Sequence, residues 1–327
     1  QNCKKMRSWL SLASPFVVLI FLQLTLTEQK PSEGSAVLVL GSGGLIGRNL
    51  VNWLERHNYQ VVHVRNREHI DLRVHGALDV YNNSKITFCF FLACEVGGSK
   101  FIENADENIQ LNIIQSNIYM YQMVLPWLKA HRIPFLFTSS YLQGTQNAYG
   151  SVKRLGEQWI HQMDGLGKMH RLWNVYGVED VGLKSHVMSD WVHGCVGFGS
   201  VRSRSDGSEL RQFIHVHDVA AALGSSMEHF DDLDMVTDIS TGEWVAMRAV
   251  GATMEDAVAA VLNLPCTVHY DHANPAKPRG HISPDMTTRL YKYWKPQIQL
   301  RQGIEMLVRE EAEKFARAKA AKGKTEL

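Results

Sequence analysis

The chain has 327 residues, of which 45% are apolar and 20% charged, and its 34 Lys and Arg nearly balance 33 Asp and Glu. Such a composition excludes disorder and low complexity, and the balanced charge provides no field that would draw the protein onto nucleic acid. The five cysteines, Cys3, Cys89, Cys94, Cys195 and Cys266, lack paired CxxC spacing, so neither a metal site nor a disulfide framework is expected and they read as buried free thiols.

At the N-terminus, Lys4, Lys5 and Arg7 precede a mostly apolar stretch over residues 9–26, most hydrophobic at 16–22. A basic flank before an apolar run near the roughly 20 residues of a membrane span reads as a signal anchor, a cleaved secretory signal or a buried helix, in that order. The expected location is membrane-anchored or in the secretory pathway (ER/Golgi), and cytoplasmic if the segment is not a functional signal. Residues 28–35 form a polar linker, so the fold begins at Ala36.

From there, short apolar runs alternate with longer amphipathic ones, the pattern of βαβ units around a parallel sheet. Residues 36–40 form a buried strand, 45–57 a helix with Leu50, Val51 and Leu54 on one face, and 60–65 a second strand. A third strand covers 85–93, and a helix over 104–129 breaks around Pro126. Residues 133–138 supply another strand, 149–163 a helix, and 168–172 a strand leading into Asn174-Val-Tyr-Gly177. Past Val178 the pattern is irregular, apart from a strand running into a helix over 213–222. The predicted architecture is α/β, a Rossmann-type doubly wound parallel sheet over 36–177. A smaller mixed α/β substrate-binding lobe follows over 178–327, with 211–224 returning to the first domain.

Gly41-Ser42-Gly43-Gly44-Leu45-Ile46-Gly47 follows a strand and opens a helix. In that setting Gly41 allows the tight turn, Gly44 lets backbone approach a pyrophosphate along with Leu45 and Ile46, and Gly47 lets helix and strand pack closely. The second strand ends at Arg65, Asn66 and Arg67 where an acidic residue would bind a ribose 2′-hydroxyl, so Arg65 and Arg67 favour NADP(H) over NAD. Tyr149 and Lys153, four residues apart on a helix, project from one face, and the ammonium is expected to lower the phenol pKa. Ser139, at the end of the preceding strand, supplies a hydroxyl to the same substrate oxygen.

The GSGGLIG turn, Tyr149-Gly-Ser-Val-Lys153, Asn174-Val-Tyr-Gly177 and Arg211-Gln-Phe-Ile-His-Val-His-Asp218 together resemble the extended short-chain dehydrogenase/reductase family, in its nucleotide-sugar epimerase/dehydratase branch. The arginine-bearing strand end with Glu68-His-Ile-Asp-Leu72, the Ala93-Cys-Glu-Val-Gly-Gly98 loop, Ser185-His186-Val187, Pro278-Arg279 and Asp285–Leu290 are most similar to the GDP-fucose synthase group of that branch. The resemblance implies that Tyr149 donates a proton to the sugar C4 oxygen. It makes Lys153 its partner and a cofactor-ribose ligand, Ser139 the second hydrogen bond, and His186 the general acid of epimerisation. Asn174, Arg211 and Arg279 become substrate contacts, the arginines toward a diphosphate. For His186 a surface histidine is the other reading. It implies a nucleotide-sugar substrate and a homodimer through the helices at 104–129 and 149–163.

Two departures bear on the reaction. Tyr141 stands where the family places a cysteine base, and a phenol with an ordinary pKa near 10 is a poor base. The interval from Ser139 to Tyr149 is also short for the branch. The expected activity is an NADP(H)-dependent epimerase/reductase acting at C4 of a nucleotide sugar. The alternatives are a redox-neutral dehydratase, decarboxylase or epimerase with bound NAD, and a non-catalytic dinucleotide-binding sensor or scaffold. Asn82-Asn83-Ser84 is the only glycosylation sequon, usable if the catalytic part is lumenal.

Overall fold

A computed structural model describes residues 35–276 and 282–323. The N-terminal signal or anchor segment and Arg279 lie outside these residues. No helix among the described residues is long and apolar enough to cross a membrane.

In chain order the elements are β1 (Ala36–Leu40), α1 (Leu45–Arg56), β2 (Gln60–Val64), β3 (Ile86–Phe91), α2 (Ser99–Ile102), α3 (Glu107–Ala130), β4 (Phe135–Ser140), α4 (Ala148–Ile160), β5 (Gly167–Leu172) and β6 (Asn174–Tyr176). They continue with α5 (Val187–Phe198), β7 (Ser200–Arg202), β8 (Leu210–Arg211), β9 (Phe213–His215), α6 (Val216–Glu228), β10 (Val236–Ile239), β11 (Val245–Ala246), α7 (Met247–Leu262), β12 (Thr267–His269) and α8 (Leu300–Gly323). Six parallel strands make the main sheet in the order β10-β5-β4-β3-β1-β2, the doubly wound arrangement expected.

The sheet is buried on both faces, and the alternation along β1 shows why its sequence is continuously apolar. Leu38 and Leu40 pack into a core with Tyr121, Leu125 and Phe137, while Val37 and Val39 pack into the opposite one with Leu50, Leu54 and Leu223. The second core draws Ile214, Val219 and Leu223 from β9 and α6, so this later segment covers the first half of the sheet. A third core, around Tyr176, Trp191, Val250, Met254 and Leu307, belongs to the C-terminal half.

The structure corrects the sequence reading at four places. The helix predicted to break around Pro126 runs unbroken through it to Ala130, because Val124, Leu125, Trp127 and Leu128 are all buried around it and hold the turn that the proline weakens. The strand predicted to end at Thr138 extends to Ser140, since Ser139 and Ser140 pair with Arg171 and Leu172 of β5. A sixth strand, β10, comes from the stretch read as irregular; its Thr237 and Asp238 interrupt the apolar run that marks the other buried strands. Finally, Cys195 and Cys266 form a disulfide across 71 residues, their Cα atoms 5.1 Å apart, whereas Cys89 and Cys94 remain free thiols. The pairing of β7 with β12 brings the end of α5 beside the residue preceding β12, a proximity that linear spacing does not reveal.

Two histidines are buried in this frame. Burial pulls His170 on β5 down to about 4, and its Nε2 lies 2.7 Å from the Ser226 hydroxyl. Burial, then the neighbouring His217, also lowers His215 to about 4. The unfolded imidazoles, with pKa near 6.5, take protons before the folded ones do, so acid favours unfolding. Stability is expected to fall as pH drops from about 6.5 to about 4, by roughly 3 kcal/mol from His170 alone, and to level off below. Denaturant titrations across that range check this, and His170→Gln should flatten the slope. An unchanged slope would remove His170 as its source.

Candidate active site

At the C-terminal edge of the sheet lies a cleft of about 680 Å³. One end is formed by the Gly41–Gly47 turn and by Arg65, Asn66 and Arg67 after β2, and the other by Tyr141, Tyr149, Trp173, His186 and Arg211. Gly41 has φ +89°, and a Cβ on Gly47 would lie 2.1 Å from the Gly41 carbonyl oxygen, so both positions are closed to larger residues. Gly44 differs. A Cβ there would meet only the Gly41 oxygen, at 3.5 Å, because the remaining side opens into the cleft.

Gly44 is also the N-cap of α1, and it offers no side chain to the helix; the first turn holds no acidic residue. The N–H groups of Leu45, Ile46 and Gly47 and the positive end of the helix dipole thus meet an open cradle that suits an anion such as a pyrophosphate. The residues present fit a dinucleotide. Beyond the cradle, Arg65 is exposed at the cleft. Arg67 is tied to the buried Glu95 carboxylate, as is Lys184 from the facing loop. Glu95 itself is fixed by Asn117, whose Oδ1 accepts from the Glu95 N–H at 3.0 Å while its Nδ2 donates to the Glu95 carbonyl at 3.1 Å.

At the other end, α4 starts where the Asn147 side chain accepts from the Gly150 N–H at 2.7 Å, which orients the first turn and turns Tyr149 and Lys153 toward the sheet. Both are buried. The Lys153 ammonium donates to the Thr138 carbonyl at 2.7 Å and sits 5.7 Å from the centre of the Tyr149 ring. Burial raises the Tyr149 phenol well above its ordinary value; the adjacent Cys94 adds to this, and a hydrogen bond with Ser140 opposes it. The expected lowering by Lys153 is therefore not what the structure presents. The phenol stays protonated at neutral pH, and the ammonium is engaged by Thr138 and by Cys94, whose thiol is itself raised by burial against the pull of Lys153.

Ser139 is also placed otherwise than expected. Because β4 continues to Ser140, strand alternation turns the Ser139 hydroxyl toward α4, where it donates to Glu157 at 2.6 Å. Glu157 in turn accepts two bonds from Arg171, at 2.9 and 2.7 Å. Ser140 is the serine that reaches Tyr149.

Of the remaining predicted residues, His186 lines the cleft as the N-cap of α5, with Nδ1 2.9 Å from the Glu179 carboxylate. Burial raises Glu179, but hydrogen bonds from His186 outweigh it and hold the carboxyl below its ordinary value. Asn174 lines the cleft too, yet its amide is taken by protein: Oδ1 accepts from the Tyr141 hydroxyl at 3.2 Å and Nδ2 donates to the Gln212 carbonyl at 2.8 Å. Arg211 reaches the cleft from β8, 3.7 Å from Glu209. Tyr141 stacks on Trp173, the ring centres 4.7 Å apart.

Sequence reasoning missed Cys94, Glu95, Ser140 and Trp173. The signal for the first pair was available: they directly follow an apolar strand of a parallel sheet, where ligand-facing residues fall. Ser140 would have required the strand's true end.

A model of the NAD dependent epimerase/dehydratase family matches residues 37–242. A probable GDP-L-fucose synthase of Oryza sativa subsp. japonica is 23% identical over 306 residues, 83% of this chain and 90% of that protein. A putative UDP-glucose 4-epimerase of Methanocaldococcus jannaschii is 22% identical over 309 residues, 83% of this chain and 97% of that protein. Among solved structures, a GDP-L-fucose synthetase from Naegleria fowleri bound to NADP superposes with a TM-score of 0.73 at 18% identity, covering 88% of this chain and 95% of that one. The chain belongs to the NAD dependent epimerase/dehydratase family, and the cleft between the glycine turn and Tyr149 is its candidate active site.

Proposed function

We propose that the protein is an NADP(H)-dependent enzyme that reduces or oxidises a nucleotide-linked sugar at C4, without epimerisation at the neighbouring carbons. The observation that carries this reading is the protonated, buried Tyr149 with Ser140 against its hydroxyl, at the far end of the cleft from the helix N-terminus. A nicotinamide held in the cleft supplies or accepts the hydride. In the reductive direction the Tyr149 phenol gives its proton to the C4 oxygen and Ser140 holds the same oxygen by a hydrogen bond, while Lys153, anchored on the Thr138 carbonyl, keeps its positive charge beside the tyrosine ring. Epimerisation at C3 or C5 calls for a second base. Tyr141, at the position of that base, is stacked on Trp173 and gives its hydroxyl proton to Asn174, which supports a reaction confined to C4. His186, backed by Glu179, and Arg211 are left to contact the sugar and its diphosphate.

A redox-neutral C4 epimerase is the second reading, favoured by the same observation, since one acid/base at the C4 oxygen serves both the oxidation and the return reduction. Incubation with GDP- and UDP-linked sugars and their 4-keto derivatives, with and without NADPH, separates the two. Turnover only with the added reductant supports the reductase, product without it the epimerase, and no turnover across the panel overturns both.

The choice of cofactor rests on Arg65 and Arg67. A charge-assisted contact to a 2′-phosphate contributes about 1.5–3 kcal/mol. Arg65→Ala is expected to weaken NADPH binding by about 10- to 100-fold and to leave NADH nearly unchanged, and Arg67→Ala to have a smaller effect, because its guanidinium is already held by Glu95. Fluorescence titration of both cofactors measures this; equal losses for the two would refute the preference.

A further inference from the structure

We infer that Asn82 carries an N-linked glycan, added while the catalytic body folds in the lumen of the secretory pathway. Two independent features of the described residues lead there. The Cys195–Cys266 disulfide joins elements far apart in sequence, and structural disulfides of this kind form and persist in oxidising compartments. Its formation removes two protons and two electrons, which pass to a disulfide-bearing thiol oxidase of that compartment. The thiols that stay reduced, Cys89 and Cys94, have their pKa raised by burial, which keeps them from exchange.

The second feature is the presentation of Asn82-Asn83-Ser84. All three residues are exposed, in the turn between the Asp79–Tyr81 helical turn and β3, where the Ser84 N–H bonds back to the Tyr81 carbonyl. The Asn82 side chain is held through its oxygen, which accepts from the Trp127 indole N–H at 2.9 Å. An indole N–H can only donate, so this contact fixes the carbonyl end inward and turns Nδ2, the atom that a glycan joins, the other way. Asn82 is not among the residues lining the cleft, so a glycan there leaves the active site open. The basic residues and apolar stretch at the N-terminus of the sequence supply the address that the lumen requires.

In the modification, Asn82 Nδ2 bonds to C1 of an oligosaccharide carried on a lipid pyrophosphate. The C1–O bond breaks, the lipid pyrophosphate leaves with the bonding pair, and Nδ2 gives up one proton. No step involves Tyr149 or the cofactor, so this inference stands or falls apart from the proposed activity.

The test is expression of the full chain in a eukaryotic secretory host, with gel mobility before and after an N-glycosidase. One glycosidase-sensitive shift is expected, absent in both Asn82→Gln and Ser84→Ala; the second variant destroys the sequon but keeps the Trp127 contact. Mass spectrometry should place the glycan on the Asn82 peptide. An unmodified Asn82 peptide and unchanged mobility overturn the inference, and so does a shift that persists in Ser84→Ala.

Discussion

Tyr149→Phe is expected to lower kcat by about 10²- to 10⁴-fold, the range for removing a positioned proton donor, while the affinity for NADPH stays within a few-fold of the parent. The ring would remain: it packs in a cluster with Phe101, Ile102, Ile113 and Val152, and losing the hydroxyl deletes only the contact with Ser140. Single-turnover kinetics and cofactor titration on the same preparation separate chemistry from binding. Equal turnover by the two proteins would remove Tyr149 from the reaction. The two serines give a sharper comparison. Ser140→Ala should reduce kcat and cost about 1 kcal/mol of stability through its lost cap on the Leu142 N–H, whereas Ser139→Ala should act on stability with little effect on kcat, since its hydroxyl serves Glu157. The reverse outcome would restore Ser139 to the substrate side. Because burial lifts the phenol pKa, the reductive rate should hold from neutral into mildly alkaline pH and decline only when the phenol itself ionises.

Much of this architecture was legible because the relevant signals are local. The glycine turn between β1 and α1 needs only a strand, a helix and the glycines between them, and the four-residue spacing of Tyr149 and Lys153 fixes a shared helix face. What escaped depends on pairing between distant segments. Whether β4 stops at Thr138 or at Ser140 is decided by its register with β5, and the two added residues, which alternate in direction, set which serine faces Tyr149. The direction of the Tyr149 shift was misread for a related reason: helical spacing shows that Lys153 is near, but not that Thr138 and Cys94 engage its ammonium or that the ring is buried. The disulfide, the β10 strand and the bridge from Glu95 to Arg67 and Lys184 are likewise products of the tertiary fold.

Arg171→Met is expected to destabilise the protein by about 3–5 kcal/mol, a large part of the 5–15 kcal/mol by which domains are ordinarily stable. Glu157 is buried beneath the catalytic end of β4, and its carboxylate is compensated by Arg171 through two hydrogen bonds and by Ser139 through one. Removing the guanidinium leaves a charge with a single neutral donor in a medium of low dielectric. Glu157→Gln should cost less, because Arg171 is 29% exposed and water can take over its donors. The double variant Glu157→Leu, Arg171→Met removes both charges and should regain most of the loss, as apolar replacements of buried ion pairs commonly do. Urea denaturation of these variants, the single Glu157→Leu and the parent closes the cycle. If the double variant is no more stable than Arg171→Met, the uncompensated Glu157 charge is not the cause and the loss lies in packing. Activity gives the second axis: Glu157 and Arg171 hold Ser139 in the strand next to Ser140, so the Arg171→Met protein that remains folded should show a lower kcat at nearly unchanged NADPH affinity, since the glycine turn and Arg65 lie at the opposite end of the cleft.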